Sequence, residues 1–351
     1  MVRSAELRDA KKNKNDEFYT QLTDIEKEMR YYKEHFEGKV VLCNCDDPYE
    51  SNFFKYFALN FNRLKLKKLI SISYANSPVA GEELKLFEEL GEEKYITGRK
   101  AYKVVMSELK DVTGDGREDL LDVKEIVKHR IRYLKGDGDF RSDESIELLK
   151  EADIVCTNPP FSLFRDFIGQ LMNYDKKFII IGNINAITYK ETFPLIQENK
   201  MWMGASIHSG DREFRVPDSY PLKAAGSRID ENGKKYIRVK GVRWFTNLDY
   251  KERHEDLDLY KEYSSEEYPE YDNYNAVEVS KTSDIPIDYD GIMGVPITFL
   301  DKYNPEQFEI VGLDRYTVPK EFLVGGRVAI NGKPKYARIL IRRKKADKHE
   351  D

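Results

Sequence analysis

The chain has 351 residues, of which 40% are hydrophobic and 34% charged, and its formal net charge at pH 7 is −5. This length accommodates one large α/β domain and a smaller one, and the composition is that of a soluble globular protein. The net negative charge excludes a protein that coats nucleic acid through bulk positive charge. Without an apolar run of membrane-spanning length or a signal peptide, we expect a cytoplasmic protein that does not enter a membrane.

The positions of the charged residues and of the cysteines indicate which kinds of partner and site the chain can have. Basic residues collect in the N-terminal arm and in residues 63–68, 223–243 and 338–348, whereas acidic residues collect in residues 252–272. This asymmetry permits a bound polyanion without requiring one. The three cysteines, Cys43, Cys45 and Cys156, lack a His-rich neighbourhood, which predicts strand packing rather than a disulfide framework or a metal site.

In the first half of the chain, short apolar runs alternate with amphipathic stretches. The apolar runs predict strands at residues 39–45, 68–74, 131–134, 151–157 and 177–182. The amphipathic stretches predict helices at residues 23–36, 54–61, 144–150 and 163–172. The charged stretch that ends near residue 130 has no clear period. Strands and helices that alternate in this way predict an α/β fold with a doubly wound, mostly parallel, Rossmann-like sheet.

The pattern changes after residue 200. Residues 204–240 have no clear period, which predicts a long loop or insertion. A strand is predicted at residues 241–248, followed by an acidic, Tyr-rich stretch at residues 251–275. Shorter β-like runs lie at residues 295–299, 308–312 and 337–341. We therefore predict a large domain in residues 1–250 and a smaller, mixed α/β region in residues 251–351.

The most informative motif is the turn Asn158-Pro159-Pro160-Phe161, which follows the predicted strand at residues 151–157. Neither proline has an N–H to continue a strand ladder, so the strand ends there. Pro159 biases Asn158 toward an extended backbone, and the amide side chain then projects from the carboxyl end of the strand. Ligands bind at that end in open α/β sheets. A turn that merely buries Phe161 is the structural alternative.

Four further motifs accompany the turn. In chain order they are Asn15-Asp16-Glu17-Phe18-Tyr19-Thr20-Gln21, Cys45-Asp46-Asp47-Pro48, Gly136-Asp137-Gly138-Asp139-Phe140-Arg141 and Gly241-Val242-Arg243-Trp244-Phe245. With them the chain resembles the EcoRI-type adenine-N6 DNA methyltransferases over nearly its whole length. The resemblance implies a catalytic domain in residues 1–250, a target-recognition region in residues 251–351, S-adenosylmethionine as the donor and double-stranded DNA as the partner. It also implies a monomer with no obligatory protein partner, and it allows a separately encoded restriction endonuclease.

Amine methylation explains the residue types of the turn. The exocyclic amine of adenine is a poor nucleophile, because its lone pair is delocalised into the ring. The Asn158 side-chain oxygen and the Pro159 carbonyl are two acceptors that favour a more tetrahedral nitrogen, and Pro160 helps to keep the turn rigid. Phe161 would stack on the base, which must first leave the duplex. Positioning and preorganised dipoles then supply the catalysis, with no covalent intermediate and no metal.

The resemblance places the methyl donor at the carboxyl ends of the early strands. Phe18-Tyr19-Thr20 corresponds to the segment that lies against the methionine end of the donor; an anchor for the first helix is the alternative. Asp46-Asp47-Pro48 follows the first strand, where this fold binds its nucleoside cofactor. An acidic helix N-cap is the alternative for Asp47.

The third strand leads to the residues that the resemblance assigns to the donor's adenine. Asp139 accepts from the adenine amine and Phe140 packs on the adenine ring, although Asp137 competes for the first role and a plain turn is the alternative. No acidic residue ends the second strand, so the contact to the donor ribose is unassigned.

Residues late in the predicted catalytic domain are candidates for DNA contact. Trp244 or Phe245 could form a second face for the flipped base; adjacent strand residues face opposite ways, so at most one serves, and core packing is the alternative. The predicted loop carries Arg212, Arg215 and Arg228, which suit DNA contact or intercalation, a disordered surface loop being the alternative.

Two other functions stay open at this point. The same turn activates any planar amine, so an RNA base or a protein glutamine amide is an alternative substrate. A catalytically silent DNA-binding or donor-sensing protein is a third possibility, which the complete Asn-Pro-Pro-Phe turn disfavours. The recognised DNA sequence cannot be read from the chain, because a few side chains at groove edges determine it.

Overall fold

The computed structural model describes residues 20–75, 100–216, 220, 222 and 226–344. The chain divides into two compact units, Met1–Asn183 with Ser209–Leu248 and Ile184–His208 with Asp249–Asp351. The division lies close to the predicted boundary at residue 250, but it assigns residues 184–208 to the second unit. Within the described ranges, every helix is too short or too polar to cross a membrane.

The described residues form eighteen strands and seven α-helices. The strands are β1 (Val40–Cys43), β2 (Lys68–Ser73), β3 (Tyr102–Met106), β4 (Ile131–Tyr133), β5 (Ile154–Thr157), β6 (Lys177–Asn183), β7 (Trp202–Met203), β8 (Asp211–Val216), β9 (Arg228–Ile229), β10 (Lys235–Lys240), β11 (Val242–Thr246), β12 (Glu270–Tyr271), β13 (Tyr274–Glu278), β14 (Met293–Pro296), β15 (Phe308–Leu313), β16 (Ala329–Ile330), β17 (Lys333–Pro334) and β18 (Arg338–Arg343). The helices are α1 (Leu22–Met29), α2 (Asn52–Leu59), α3 (Leu120–Arg130), α4 (Asp143–Glu151), α5 (Phe164–Asn173), α6 (Phe193–Gln197) and α7 (Asp314–Thr317).

Seven strands of the first unit form one sheet in the order β4-β3-β2-β1-β5-β6-β11. The central pairs β1–β2, β1–β5 and β5–β6 are parallel, whereas β2–β3, β3–β4 and β6–β11 are antiparallel. The α/β class is therefore confirmed, but the sheet is mixed rather than mostly parallel. The sequence did not indicate β3. The antiparallel direction of β11 relative to β6 also could not be predicted from local sequence patterns.

Continuous apolar runs place the central strands in the core. All four residues of β1 and of β5 are buried, and the same holds for residues 178–181 of β6. Strands covered on both faces have this pattern, and each fully buried aliphatic or aromatic side chain contributes about 1.5–3 kcal/mol. Helix α2 begins at Ser51, whose hydroxyl accepts from the N–H groups of Phe53 and Phe54. The continuous apolar runs of the sequence thus correspond to the buried central strands of the sheet.

Two regions have regular structure that the sequence pattern did not indicate. The charged stretch before residue 130 contains β3 and α3, and α3 begins with a capping box formed by Asp119 and Asp122. The described part of residues 204–240 contains β8, β10 and β9, which form an antiparallel three-stranded sheet in place of the predicted long loop, while the alternative of an insertion stays a prediction. Its strands contain many charged side chains and only a few buried apolar ones, such as Phe214 and Ile237. They therefore lack the continuous apolar run from which a buried strand is predicted.

The second unit contains a five-stranded mixed sheet in the order β12-β13-β14-β18-β15 and the two-stranded hairpin β16–β17. The predicted strands at 308–312 and 337–341 correspond to β15 and β18, whereas β14 ends at Pro296 and a 3₁₀-helix, Ile297–Lys302, follows. A buried ion pair joins Arg338 to Glu278, with Nη2 and Oε1 2.6 Å apart. The hydroxyl of Tyr271 donates to the same carboxylate at 2.5 Å.

Candidate active site

The Asn158–Phe161 turn leaves the carboxyl end of β5, which lies between β1 and β6 in the middle of the sheet. Pro160 precedes a 3₁₀-helix, Phe161–Leu163, and α5 follows directly. Pro159 is buried, while Asn158 and Phe161 are partly exposed. The side chains that the sequence assigns to the target base are thus at the edge where a parallel sheet binds ligands, and Phe161 is not enclosed in the core.

A buried carboxylate holds the turn. Asp46 is 7% exposed, and it accepts hydrogen bonds from the Thr157 hydroxyl and from the backbone N–H of Asn158. Its other oxygen accepts from the Ser51 hydroxyl at 2.6 Å. Burial raises the pKa of Asp46 to about 6, although these hydrogen bonds act in the opposite direction. The structure places Asp46 beneath the Asn158–Phe161 turn, and donor binding by Asp46 stays a prediction.

Further hydrogen bonds connect Asp46 and Thr157 to neighbouring strand ends. The Thr157 hydroxyl accepts from the N–H of Cys45 at 3.2 Å, which joins the end of β5 to the residues that follow β1. The Ser71 hydroxyl of β2 donates to the Asp46 carbonyl at 2.5 Å. The ends of β1, β2 and β5 therefore share one buried network that fixes the backbone at Asn158.

Asp47 is buried on the other side of the same loop. One carboxylate oxygen accepts from the hydroxyls of Ser73, at 2.8 Å, and Tyr102, at 2.7 Å, and the other accepts from the N–H of Tyr49. Burial raises the pKa of Asp47, and these hydrogen bonds lower it. Asp47 is not an N-cap, since Ser51 caps α2. Its role in donor binding stays a prediction, as does that of Pro48.

The loop after β4 lies against the end of β2. Gly138 has a φ of +77°, and a Cβ there would come within 2.5 Å of the Ser73 carbonyl oxygen. The N–H of Ala75 donates to the carbonyl of Asp137 at 2.8 Å. Only glycine combines this φ with so close an approach, so the Gly-Asp-Gly-Asp run brings residues 136–141 beside the first two strand ends.

Asp139 and Phe140 occupy different environments within that loop. The Arg141 guanidinium donates to both Asp139 carboxylate oxygens, at 2.9 and 2.7 Å, and the Asp139 side chain is 19% exposed. Phe140 is buried and packs edge-on against Phe167, with ring centroids 5.0 Å apart. An adenine contact by Asp139 stays a prediction, and this packing favours a core role for Phe140.

Two buried polar atoms near the predicted donor site have no hydrogen-bond partner among the described residues. They are Oγ1 of Thr20 and Nδ2 of Asn44, on residues that are 4% and 2% exposed. A buried polar group without a partner is costly, and a bound polar ligand would satisfy it. Thr20 was predicted from its motif, whereas Asn44 was missed; its only sequence signal is an amide directly after the apolar β1. Phe18 and Tyr19 lie outside the described residues.

The aromatic pair on β11 lies in the core. Trp244 is 1% exposed and packs edge-on against Phe53, with ring centroids 5.8 Å apart. Phe245 is fully buried against Phe164, with ring centroids 5.0 Å apart. This packing favours core aromatics over a second wall for the base.

Two predicted DNA-contacting arginines on β8 face carboxylates of the first unit. Arg215 pairs with Glu50, with Nη1 and Oε2 2.7 Å apart, and the Glu50 side chain is only 5% exposed. Arg212 lies 3.9 Å from the carboxylate of Asp24. These pairs tie the three-stranded sheet to the loop after β1 and to α1, so DNA contact by either arginine stays a prediction.

Arg228 on β9 also has a carboxylate partner. Its guanidinium donates to both oxygens of Glu213, at 2.8 and 2.6 Å, and lies 4.3 Å from the Tyr236 ring centroid. Arg228 is more exposed than Arg212 and Arg215, with 48% of its side chain accessible. Among the three predicted arginines, it is therefore the most accessible to a DNA phosphate.

Comparisons with known proteins identify the family of the chain. The family model described as "Adenine-specific methyltransferase EcoRI" matches residues 6–344. The chain is 49% identical to the Type II methyltransferase M.EcoRI of Escherichia coli, over 97% of both chains. It is 36% identical to the Type II methyltransferases M.MgeORF184P of Mycoplasma genitalium and M.MpnI of Mycoplasma pneumoniae, over 95% of this chain and 97% of each relative. No solved structure matches this chain. The resemblance is confirmed, and the chain belongs to the EcoRI family of adenine-specific methyltransferases.

Proposed function

We propose that this adenine-specific methyltransferase transfers the methyl group of S-adenosylmethionine to N6 of a flipped adenine in duplex DNA. The observation that carries the proposal is the Asn158–Phe161 turn at the carboxyl end of β5, fixed by the buried carboxylate of Asp46. The printed names of the three relatives, all Type II methyltransferases, support DNA as the substrate.

The turn would activate the amine through two acceptors. The Asn158 side-chain oxygen and the Pro159 carbonyl each accept one amino hydrogen, which favours a tetrahedral nitrogen whose lone pair points away from the ring. The backbone N–H of Asn158 is committed to Asp46, so its main chain is fixed before the base arrives. Preorganisation of this kind lowers the barrier because little reorganisation remains for the reacting state.

Phe161 would support the plane of the target base. Its ring is partly exposed beside the acceptor pair, and α5 begins three residues later. Stacking on an aromatic ring stabilises an extruded base whatever its identity, whereas the two acceptors require an amino group. The turn would therefore combine a stacking contact that any base can make with two hydrogen bonds that only a base with an amino group can donate.

S-adenosylmethionine fits the polar atoms at the neighbouring strand ends. When bound, it supplies an electrophilic methyl group on a sulfonium. Thr20 Oγ1 and Asn44 Nδ2 are buried groups available to hydrogen-bond its polar ends, and the partly exposed Asp139 carboxylate is available to its adenine amine. Asp46 and Asp47 would shape the floor of this site, because their carboxylates accept internal hydrogen bonds that hold the loop after β1 in place.

We also propose that a separately encoded restriction endonuclease reads the same DNA sequence. The Type II names of the relatives support this pairing. A gene for an endonuclease beside the gene for this chain, and protection of the methylated DNA from its cleavage, would support the pairing.

The test uses genomic DNA that lacks N6-methyladenine, the full chain and labelled S-adenosylmethionine. We expect label in N6-methyladenine at one recurring sequence, detected by base-resolution sequencing. Parallel reactions with RNA and with protein substrates test the two alternative methyl acceptors, an RNA base and a protein glutamine amide.

The matched variants are Asn158→Ala in the turn and Asn173→Ala at the exposed end of α5. We expect Asn158→Ala to lower the initial rate of labelling about 10²–10³-fold and Asn173→Ala to leave it unchanged. No N6-methyladenine with the wild-type chain, or equal labelling by Asn158→Ala, would overturn the proposal.

A further inference from the structure

Two segments of the second unit differ in charge. Residues 251–275 contain nine acidic side chains against three lysines and arginines, whereas residues 319–337 contain four basic side chains against one acidic side chain. Of the four, Arg327 pairs with the buried Asp314, so the positive charge that a partner can reach comes from Lys320, Lys333 and Lys335. Because duplex DNA carries dense negative charge, these lysines attract it. We call residues 319–337 the basic hairpin segment, since they include the hairpin β16–β17.

The basic hairpin segment also exposes large apolar side chains. Tyr336 is 89% exposed, Phe322 is 58% exposed and Val324 is 36% exposed. Backbone hydrogen bonds hold the two ends of this segment near each other, because Asn273 donates to the carbonyls of Phe322 and Arg327 and the N–H of Lys335 donates to the Val328 carbonyl. Exposed aromatics beside lysines are typical of surfaces that bind nucleic acid.

The backbone of this segment is fixed although its side chains are exposed. The turn Asn331-Gly332 has positive φ at both residues, and the Asp272 carboxylate accepts the N–H groups of both, at 3.1 and 2.7 Å. Asn273 donates to the carbonyls of Phe322 and Arg327, at 2.7 and 3.1 Å. The segment is thus anchored to the two residues that connect β12 and β13.

The interior of the unit supports the same segment. Val328 is fully buried in a cluster with Val318 and Leu340, and Ile330 packs against this cluster. The N–H of Lys335 donates to the Val328 carbonyl at 2.9 Å, immediately before the exposed Tyr336. A side chain held in the open by an ordered backbone loses little conformational entropy when a partner binds.

We propose that the basic hairpin segment contacts the target DNA, with Tyr336 packing against base edges in a groove and the lysines contacting backbone phosphates. This inference rests on the proposed DNA substrate and names a surface that the motifs did not indicate. The positive charge fits a polyanion, and the ordered Asn-Gly hairpin gives an aromatic side chain a defined direction for groove contact.

The experiment begins by mapping the methylated sequence of the wild-type chain in genomic DNA. A duplex oligonucleotide with that sequence then serves as the probe for equilibrium binding of the full chain. We expect Tyr336→Ala to raise the Kd for this duplex about tenfold, the size of one lost base-edge contact. The Kd for S-adenosylmethionine and kcat at saturating DNA should not change, because neither depends on Tyr336.

Tyr260 supplies the matched control, since it is 70% exposed but belongs to the acidic segment. We expect Tyr260→Ala to bind DNA like the wild type and Tyr336→Phe to retain most of the affinity. Thermal unfolding of each variant should match the wild type, because both side chains are exposed. The double variant Lys320→Gln/Lys333→Gln should reduce the slope of log K against log salt concentration by about two.

The possible outcomes distinguish a failure of the proposed function from a failure of the inference about the basic hairpin segment. If the wild-type chain methylates no DNA, the proposed function is wrong. If it methylates DNA while Tyr336→Ala and the double lysine variant bind the duplex with wild-type affinity and salt dependence, the inference alone is overturned.

Discussion

The Asn158–Phe161 turn and the basic hairpin segment are both ordered, but they are held in different ways. In the first unit, the backbone at Asn158 is held by the carboxylate of Asp46, a residue that is 7% exposed and that also accepts hydrogen bonds from Ser51 and Ser71. In the second unit, Tyr336 is 89% exposed, and backbone N–H groups of its segment donate to the carboxylate of Asp272. Chemistry requires fixed acceptors, whereas recognition requires accessible side chains. Substitutions in the two regions should therefore affect different steps.

The largest expected effect comes from breaking the buried ion pair of the second unit. Glu278→Ala leaves the Arg338 guanidinium without its carboxylate and removes the nearer of the two acceptors of the Tyr271 hydroxyl. We expect the free energy of unfolding to fall by about 3–5 kcal/mol, because an uncompensated charge stays buried. Urea unfolding measures this loss. Glu309→Ala, which removes an exposed partner of Arg342, is the control and should change stability little.

The second effect tests the support beneath the catalytic turn. We expect Asp46→Asn to lower kcat about a hundredfold, because the backbone of Asn158 loses its charged acceptor and its position shifts. The variant removes a buried charge, so its stability at neutral pH should not fall. A large loss of stability together with an unchanged kcat would show that Asp46 is structural only.

The pH dependence of the rate sharpens the same point. Burial holds the pKa of Asp46 at about 6, so its carboxylate is protonated as pH falls through that value. We expect kcat to decrease roughly tenfold per pH unit below pH 6, whereas the rate of Asp46→Asn should not follow this titration. Folding stability changes with pH in the opposite direction to the rate. Because the pKa of Asp46 is higher in the folded than in the unfolded protein, its contribution to stability is complete below the unfolded pKa and is lost as pH rises through about 6. A wild-type profile that is flat between pH 5 and 7 would contradict this prediction.

The smallest effect concerns the anchor of the basic hairpin segment. Asp272→Ala removes the acceptor for the N–H groups of Asn331 and Gly332, and a net hydrogen bond contributes about 1 kcal/mol. We expect affinity for the target duplex to fall by less than in Tyr336→Ala, with kcat unchanged. A loss of kcat at saturating DNA would mean that this segment is coupled to the chemistry.

Much of the first unit could be predicted from the sequence, because continuous apolar runs mark β1, β5 and β6 and because two prolines end β5 at Asn158. The strand β3 was missed, since its burial alternates along a charged stretch. The role of Asp46 beneath the turn could not be predicted, because its partners Thr157 and Asn158 lie more than a hundred residues away in sequence.

The residues of the proposed DNA-contacting surface could be predicted least. No motif in the sequence includes Tyr336, and the hydrogen bonds that order its segment come from Asp272 and Asn273, about sixty residues earlier in the chain. Conversely, the motif residues Trp244 and Phe140 are buried by packing that only the assembled sheet and helices determine. Local patterns thus predict the position of the Asn158–Phe161 turn better than they predict the burial or exposure of single aromatic side chains.

The most direct measurement is the single-turnover rate of methyl transfer to the mapped duplex, with donor and DNA both saturating. For Asn158→Ala we expect a rate about 10²–10³-fold below the wild type, the cost of losing one preorganised group at a reacting centre. The Kd values for S-adenosylmethionine and for the duplex should stay unchanged, as should the rate of Asn173→Ala. A wild-type rate for Asn158→Ala, or a loss explained entirely by weaker binding, would contradict the role of the turn in activating the adenine amine.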